Sequence, residues 1–171
     1  MGGDVDMRRR LLALIRRYPG LHVREAARQL DTSVALVEYH VPFLLEAGVV
    51  EEERDERYQR LYPVGEGHRL TAADRAVVSL LRQPAPFQIT LVLLERGEAR
   101  HADLVEVLGV GKSTLSFHLK KMERRGLVEK TGAGSYRLRD PERASRLLLA
   151  HQPTKDMQDD FAELWTNFYD A

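Results

Sequence analysis

The sequence predicts a mainly α-helical chain with small β-hairpins, in which one structural unit is written twice. Sliding residues 30–51 along by 78 positions lays LDTSVALVEYHVPFLLEAGVVE on LGVGKSTLSFHLKKMERRGLVE without a gap. Five positions are then identical, Leu30/Leu108, His40/His118, Gly48/Gly126, Val50/Val128 and Glu51/Glu129, where ordinary residue frequencies give about one or two by chance. The aromatics Tyr39 and Phe117 coincide, and Tyr58 meets Tyr136, which extends the register into the next element. The length of 171 residues leaves room for two domains of about 70 residues each plus connecting helices.

The elements follow in order. Leu11, Leu14 and Ile15 share one face of a helix over 7–17, which Pro19-Gly20 stops. A second helix, about 24–30, turns Ala26, Ala27 and Leu30 inward. Asp31-Thr32-Ser33 supplies a turn and an N-cap for a third helix to Ala47, closed by Gly48. Pro42 removes a helical hydrogen bond and predicts a kink near Glu38 to Val41. VVEEE and YQRLYPV read as two strands around a polar tip. Three helices and a hairpin in this order make a winged helix-turn-helix.

The second copy repeats the plan, with Phe87, Ile89, Val92 and Leu93 marking its first helix, Leu104 to Leu108 its second, Gly111 to Arg125 its third, and LVEK/SYRLR its hairpin. Thr71 to Asp74 opens a linking helix that Pro84 and Pro86 end. Asp140-Pro141 starts a further helix, and a last one from Thr154 carries Met157, Phe161, Leu164, Trp165 and Phe168 as a stripe that must be covered. The expected organisation is a first winged-helix domain at 1–66, a linking helix at 67–86, a second winged-helix domain at 87–140, and C-terminal helices at 141–171.

Lys plus Arg and Asp plus Glu both number 26, so the distribution of charge is more informative than its sum. Residues 111–125 hold Lys112, Lys120, Lys121, Arg124 and Arg125 against Glu123, whereas 33–47 hold no Lys or Arg and carry Glu38 and Glu46. With no cysteine, disulfides, thiolate metal sites and cysteine redox sensing are excluded. The apolar run LLALI is too short for a signal peptide or a membrane span, and Gly2 lacks the downstream Ser or Thr of an acylation signal. A soluble cytoplasmic protein is expected, with no membrane partner and no cofactor.

In the second copy's third helix, Leu115, His118, Leu119 and Met122 recur at the spacing of an inner face. Lys112, Ser113, Ser116, Phe117 and Lys120 then form the outer face, which a helix-turn-helix presents to the major groove. Hydroxyls and lysines bond base edges or phosphate, and an aromatic packs on a thymine methyl. Lys121, Arg124 and Arg125 extend a basic border, and Arg137 and Arg139 lie in the wing.

The stretch VGKSTLSFHLKKMERRGLVEK, with HADLVEVLG before it and YRLR after it, resembles the DNA-binding core of ArsR/MarR-type winged-helix transcriptional regulators. The likeness covers about 87–139 well and about 8–64 more loosely. It implies double-stranded DNA as partner, with Lys112, Ser113, Thr114, Ser116, His118 and Lys120 meeting it, and terminal helices that often form a homodimer interface. ArsR-type metal sensors commonly use cysteines, which this chain lacks. No motif specifies an effector.

In the same frame the first copy presents Val34, Ala35, Glu38, Tyr39 and Pro42, which suit protein contact better than phosphate. Val34 and Tyr39 are therefore expected at a protein interface. Phe161, Leu164, Trp165 and Phe168 either join two protomers or fold back on their own. Arg54, Arg57 and Arg60 either touch phosphate or balance the neighbouring carboxylates. GVGKST is not a phosphate loop, because Glu106 stands where that loop needs glycine and a helix precedes it. The histidines lack zinc-helix spacing, and nothing suggests an enzyme. The expected function is a DNA-binding transcriptional regulator whose second module reads the major groove, the alternative being a tandem winged-helix scaffold that binds protein in chromosome or transcription machinery.

Overall fold

The offset between the copies reappears in space as matching helix limits. The computed structural model describes residues 2–55, 58–65 and 70–150, and the chain divides into two units, Met1–Thr71 and Ala72–Ala171. The first unit runs α1 (Gly2–Arg17), β1 (Leu21–His22), α2 (Val23–Gln29), α3 (Val34–Glu46), β2 (Val50–Asp55) and β3 (Tyr58–Pro63). The second runs α4 (Ala72–Leu81), α5 (Pro84–Arg96), β4 (Glu98–Arg100), α6 (His101–Leu108), α7 (Lys112–Arg124), β5 (Val128–Lys130), β6 (Ser135–Leu138) and α8 (Pro141–Ala150). The limits of α3 and α7 differ by 78 at both ends.

The core repeats with the same offset. Leu11 and Ile15 of α1 match Ile89 and Leu93 of α5, all of them buried, and each such side chain contributes about 1.5–3 kcal/mol by leaving water. In the first unit they pack with Ala26, Val37, Val41, Leu44, Val50 and Leu61. α3 continues through Pro42. Glu38, one turn earlier, is exposed, so water can reach the carbonyl left without its helical donor.

Left-handed residues bracket each third helix. Gly109 ends α6 at φ 61°, and Asp31, at the equivalent place after α2, holds φ 52°. At the far end, Gly48 donates to the Leu45 carbonyl at 3.0 Å and Val49 to Leu44 at 3.2 Å. Gly126 donates to Glu123 at 3.0 Å and Leu127 to Met122 at 2.9 Å, which is the same Schellman closure.

Each wing is a three-stranded antiparallel sheet, ordered β1-β3-β2 and β4-β6-β5. β1 and β4, too short to carry an alternating pattern, are additions to the expected hairpins. The register corrects one reading of the sequence. Glu51 pairs with Tyr62 and Glu129 with Arg137, so the equivalent residues are 75 apart beyond the turn, and Tyr136 matches Leu61 rather than Tyr58. The second wing is three residues shorter than the first, and the alignment of the two tyrosines is coincidental.

The linking segment is part of the second unit. α4 turns Val77, Val78, Leu80 and Leu81 inward and packs against α5 and α8. Asp74 accepts from Arg143 Nε at 2.9 Å, which ties the starts of α4 and α8. Pro84 occupies the first turn of α5, where a proline needs no helical partner, so that helix begins three residues before Phe87. Arg143 N–H donates to Asp140 Oδ1 at 2.9 Å, the N-cap that Asp140-Pro141 predicts. No single described helix is long and apolar enough to cross a membrane, and α4 and α5 bend by 100° at their junction.

His22 caps α2 through Nδ1, which accepts the Glu25 N–H at 3.2 Å. Burial first, and then Arg60, Arg28 and Arg24, lower its pKa from 6.5 to about 4. Two outcomes follow for stability. Because the unfolded chain binds the His22 proton more readily, stabilisation is complete above pH 6.5 and is lost as pH falls towards about 4. His22→Asn keeps a cap acceptor without titrating, so its melting profile should lack that part of the decline. Asp31→Gly should stabilise the chain by about 1 kcal/mol and Gly109→Ala should destabilise it by about 1–2 kcal/mol, as read by urea unfolding. An added Cβ at Gly109 meets nothing within 4 Å, so the second cost is that of the backbone alone.

Candidate nucleic-acid interface

α7 has two faces of opposite character. Leu115, Leu119 and Met122 are buried, while Lys112, Ser113, Thr114, Phe117, Lys120 and Arg124 are exposed. Phe117 is 57 % exposed, a large ring set within a basic surface. Gly111 is the N-cap and offers no side-chain acceptor, and the first turn contains no acid. The backbone N–H groups there, together with Lys112, make the start of α7 receptive to an anion. By contrast, Ser33 Oγ accepts the Leu36 N–H at 3.1 Å at the start of α3.

Ser116 lies at the flank of the outer face. Its Oγ is 2.9 Å from His101 Nε2, a pairing between α6 and α7 that holds the hydroxyl in place. His101 was not among the residues that the sequence singles out, since nothing in the spacing joins positions 15 apart across a turn. His118 is half-buried, edge-on to Phe117 at 5.3 Å, and its Nδ1 has no hydrogen-bond partner among the described residues. Burial, and secondarily the charge of Lys121, hold its pKa below the ordinary value. His118 therefore stays neutral near pH 7 and supports the helix rather than offering a cation.

Lys121 does not belong to the basic border. It is 4 % exposed, and its Nζ donates to Gln83 Oε1 at 3.2 Å. Arg125 likewise turns inward, its Nη1 donating to Ser79 Oγ at 3.1 Å. Both lie towards the α4–α5 corner, which the sequence pattern of α7 alone does not place. In the wing, Arg137 Nη2 lies 2.7 Å from Glu129 Oε1 and Arg139 Nε 3.8 Å from Glu129 Oε2. The two side chains are 58 % and 57 % exposed, so Glu129 moderates a charge that still faces solvent.

The equivalent face of α3 is apolar and acidic. Tyr39 is 54 % exposed and is flanked by exposed Leu36 and Phe43, with Glu38 and Pro42 beside them. Val34 is half-buried. The Arg8 guanidinium lies 3.8 Å above the Phe43 ring, and Arg8 Nε donates to buried His40 Nδ1 at 3.5 Å. Of the two roles open to Arg60, phosphate contact and carboxylate pairing, the structure shows the second: it is 3 % exposed and donates to Asp55 Oδ2 at 3.0 Å and to the Gly20 carbonyl at 2.9 Å. Its role is to join the wing to the turn after α1. Arg57 and the stripe of Phe161, Leu164, Trp165 and Phe168 lie outside the described residues. Among the described residues, no group of three or more His, Asp or Glu side chains is placed to hold a metal ion.

Two sets of three helices, each closed by a three-stranded wing, define a tandem winged helix-turn-helix protein. Residues 88–130 match the model of the bacterial regulatory protein arsR family, and residues 6–51 match that of a winged helix-turn-helix DNA-binding family. Among solved structures, HlyU from Vibrio cholerae N16961 is similar at 27 % identity over 47 % of this chain and 90 % of that one, with a TM-score of 0.41. The mRNA-binding domain of elongation factor SelB from E. coli, solved with SECIS RNA, is similar at 21 % identity over 80 % of this chain and 97 % of that one, with a TM-score of 0.30. No curated protein matches the sequence significantly.

The adjacent lysines of α7 should separate cleanly by experiment. Lys121→Ala removes a buried hydrogen bond from a charged group and should lower unfolding free energy by about 1–3 kcal/mol. Lys120→Ala, on the exposed face, should change it by no more than about 0.5 kcal/mol. Equal losses in urea titrations would contradict the inward position of Lys121.

Proposed function

We propose that the protein is a DNA-binding transcriptional regulator whose second unit inserts α7 into the major groove. The observation that carries this reading is the single exposed face of Lys112, Ser113, Thr114, Phe117, Lys120 and Arg124, set opposite a fully buried apolar face. Lys112 and the uncapped N–H groups of the first turn meet phosphate. Ser113, Ser116 and Lys120 address phosphate or base edges, and Phe117 packs on a thymine methyl. Arg137 and Arg139 of the wing reach the flanking backbone by exchanging Glu129 for phosphate. The match of 88–130 to a family of bacterial regulators supports the same reading.

The first unit serves assembly in this proposal. Leu36, Tyr39 and Phe43 expose aromatic and apolar surface where α7 exposes cations, and aromatic side chains anchor protein interfaces. A homodimer would pair two α7 helices on successive half-sites of a palindromic operator. The same surface supports the rival reading of a scaffold that binds protein, which predicts no dependence of function on Lys112 or Lys120.

Binding to duplex genomic fragments across a salt series tests the proposal. Affinity should fall on a log-log plot with a slope of about −0.9 per phosphate contacted, and Lys120→Ala should reduce the slope by about one if Lys120 meets phosphate. Failure to bind any fragment at low salt would reject DNA binding in favour of the scaffold. The mass in solution, compared between the native chain and Tyr39→Glu, tests the assembly role of α3.

A further inference from the structure

The first unit carries a cleft that the reading above does not use. It has a volume of about 450 Å³ and lies where the β1–α2 junction, the start of α3 and β3 converge, with His22, Arg24, Val34, Glu38, Tyr58 and Gln59 on its walls. The rings of His22 and Tyr58 stack at 4.7 Å with an interplanar angle of 16°, and Tyr58 remains 44 % exposed. Gln59 is held by its bond to Glu52. Arg24 and Arg28 are exposed on α2, and buried Arg60 lies below, its guanidinium 5.9 Å from the Tyr58 ring centre.

We propose that this cleft binds an unpaired nucleotide, stacking its base against the Tyr58–His22 pair and holding its phosphate at Arg24. Four features combine to favour such a ligand over a simple anion or an apolar one. The aromatic pair is anchored, since His22 Nδ1 is committed to the Glu25 N–H, so little freedom is lost when a base lies on it. That bond places the proton of the neutral ring on Nε2, leaving a donor at the cleft's aromatic wall. The depressed basicity of His22 reflects burial together with the positive field of three arginines, and the same field favours phosphate. Glu38 is the one carboxylate on the walls, and a carboxylate accepts from the N–H groups that bases expose when unpaired. A duplex, whose bases are stacked and paired, cannot use these features. The site is thus distinct from the α7 face in both position and ligand.

The shared chemistry is that of a base joined to a phosphate, available from a free nucleotide or from a single strand. Fluorescence anisotropy with labelled single-stranded DNA and RNA, competed with guanosine monophosphate, distinguishes these sources. The experiment uses the full chain carrying Lys112→Ala, Lys120→Ala, Arg124→Ala, Arg137→Ala and Arg139→Ala, so that the cationic contacts proposed for the second unit are removed and their failure would not affect the result. Tyr58→Ala should weaken binding about tenfold, and Tyr58→Phe, which keeps the ring, should leave it within about twofold. Arg24→Ala should weaken strand binding and reduce its salt slope by about 0.7. Competition by the mononucleotide would identify a free nucleotide as sufficient, and strand binding without it would identify a nucleotide within a chain. Absence of binding to all three probes, or affinities unchanged by Tyr58→Ala and Arg24→Ala, would overturn the proposal. Arg24 is exposed and outside the core, so its substitution decides the matter even if circular dichroism shows Tyr58→Ala to be misfolded.

Discussion

The third helix of each unit is fixed from one side and from both ends, and the rest of the architecture depends on that constraint. A left-handed residue precedes it, Asp31 or Gly109, and a left-handed glycine follows it, Gly48 or Gly126. Between them a stripe of Val37, His40, Val41 and Leu44, or of Leu115, Leu119 and Met122, is buried. Once the ends and the inner face are specified, the outer face has no structural task. Lys112, Ser116 and Lys120 can then stand where Val34, Glu38 and Pro42 stand without altering the helix limits. One scaffold thus carries a cationic surface in one unit and an apolar, acidic one in the other.

Much of this was legible in the sequence because it rests on local rules. Capping residues, helix-ending glycines and apolar spacing act within a few positions of themselves, and they placed Ser33, Gly48 and Asp140 correctly. The repeat was legible for the same reason, since identical local rules give identical intervals. What the sequence did not disclose depends on distant partners. Lys121 and Arg125 belong to a basic run, yet Gln83 and Ser79, some forty residues earlier in the chain, draw them inward. Arg60 stands among carboxylates that would solvate it equally well in an open wing, but its carbonyl partner, Gly20, comes from the turn after α1.

The short strands illustrate a further limit. β1 and β4 contribute two and three residues, too few for alternation to be read. They exist because β3 and β6 each have a free edge at which a passing segment satisfies its backbone groups. That pairing places His22 beside Arg60 and stacks it on Tyr58. A cleft with aromatic and cationic walls therefore arises from a strand that composition gives no reason to expect.

The unequal wings have a consequence for how a duplicated unit diverges. Six residue pairs join β2 to β3, whereas three join β5 to β6, yet the innermost pairs, Val50 with Pro63 and Val128 with Leu138, are equivalent. A hairpin rooted in this way can be trimmed or extended at its tip while its root stays in the core. The stretch from Val50 to Pro63 is three residues longer than that from Val128 to Leu138; shared between two strands at about 3.3 Å per residue, that alters the reach by roughly 5 Å. The wing is thus an adjustable ruler on a fixed mount, and its length can change in one unit without any compensating change in the helices that support it.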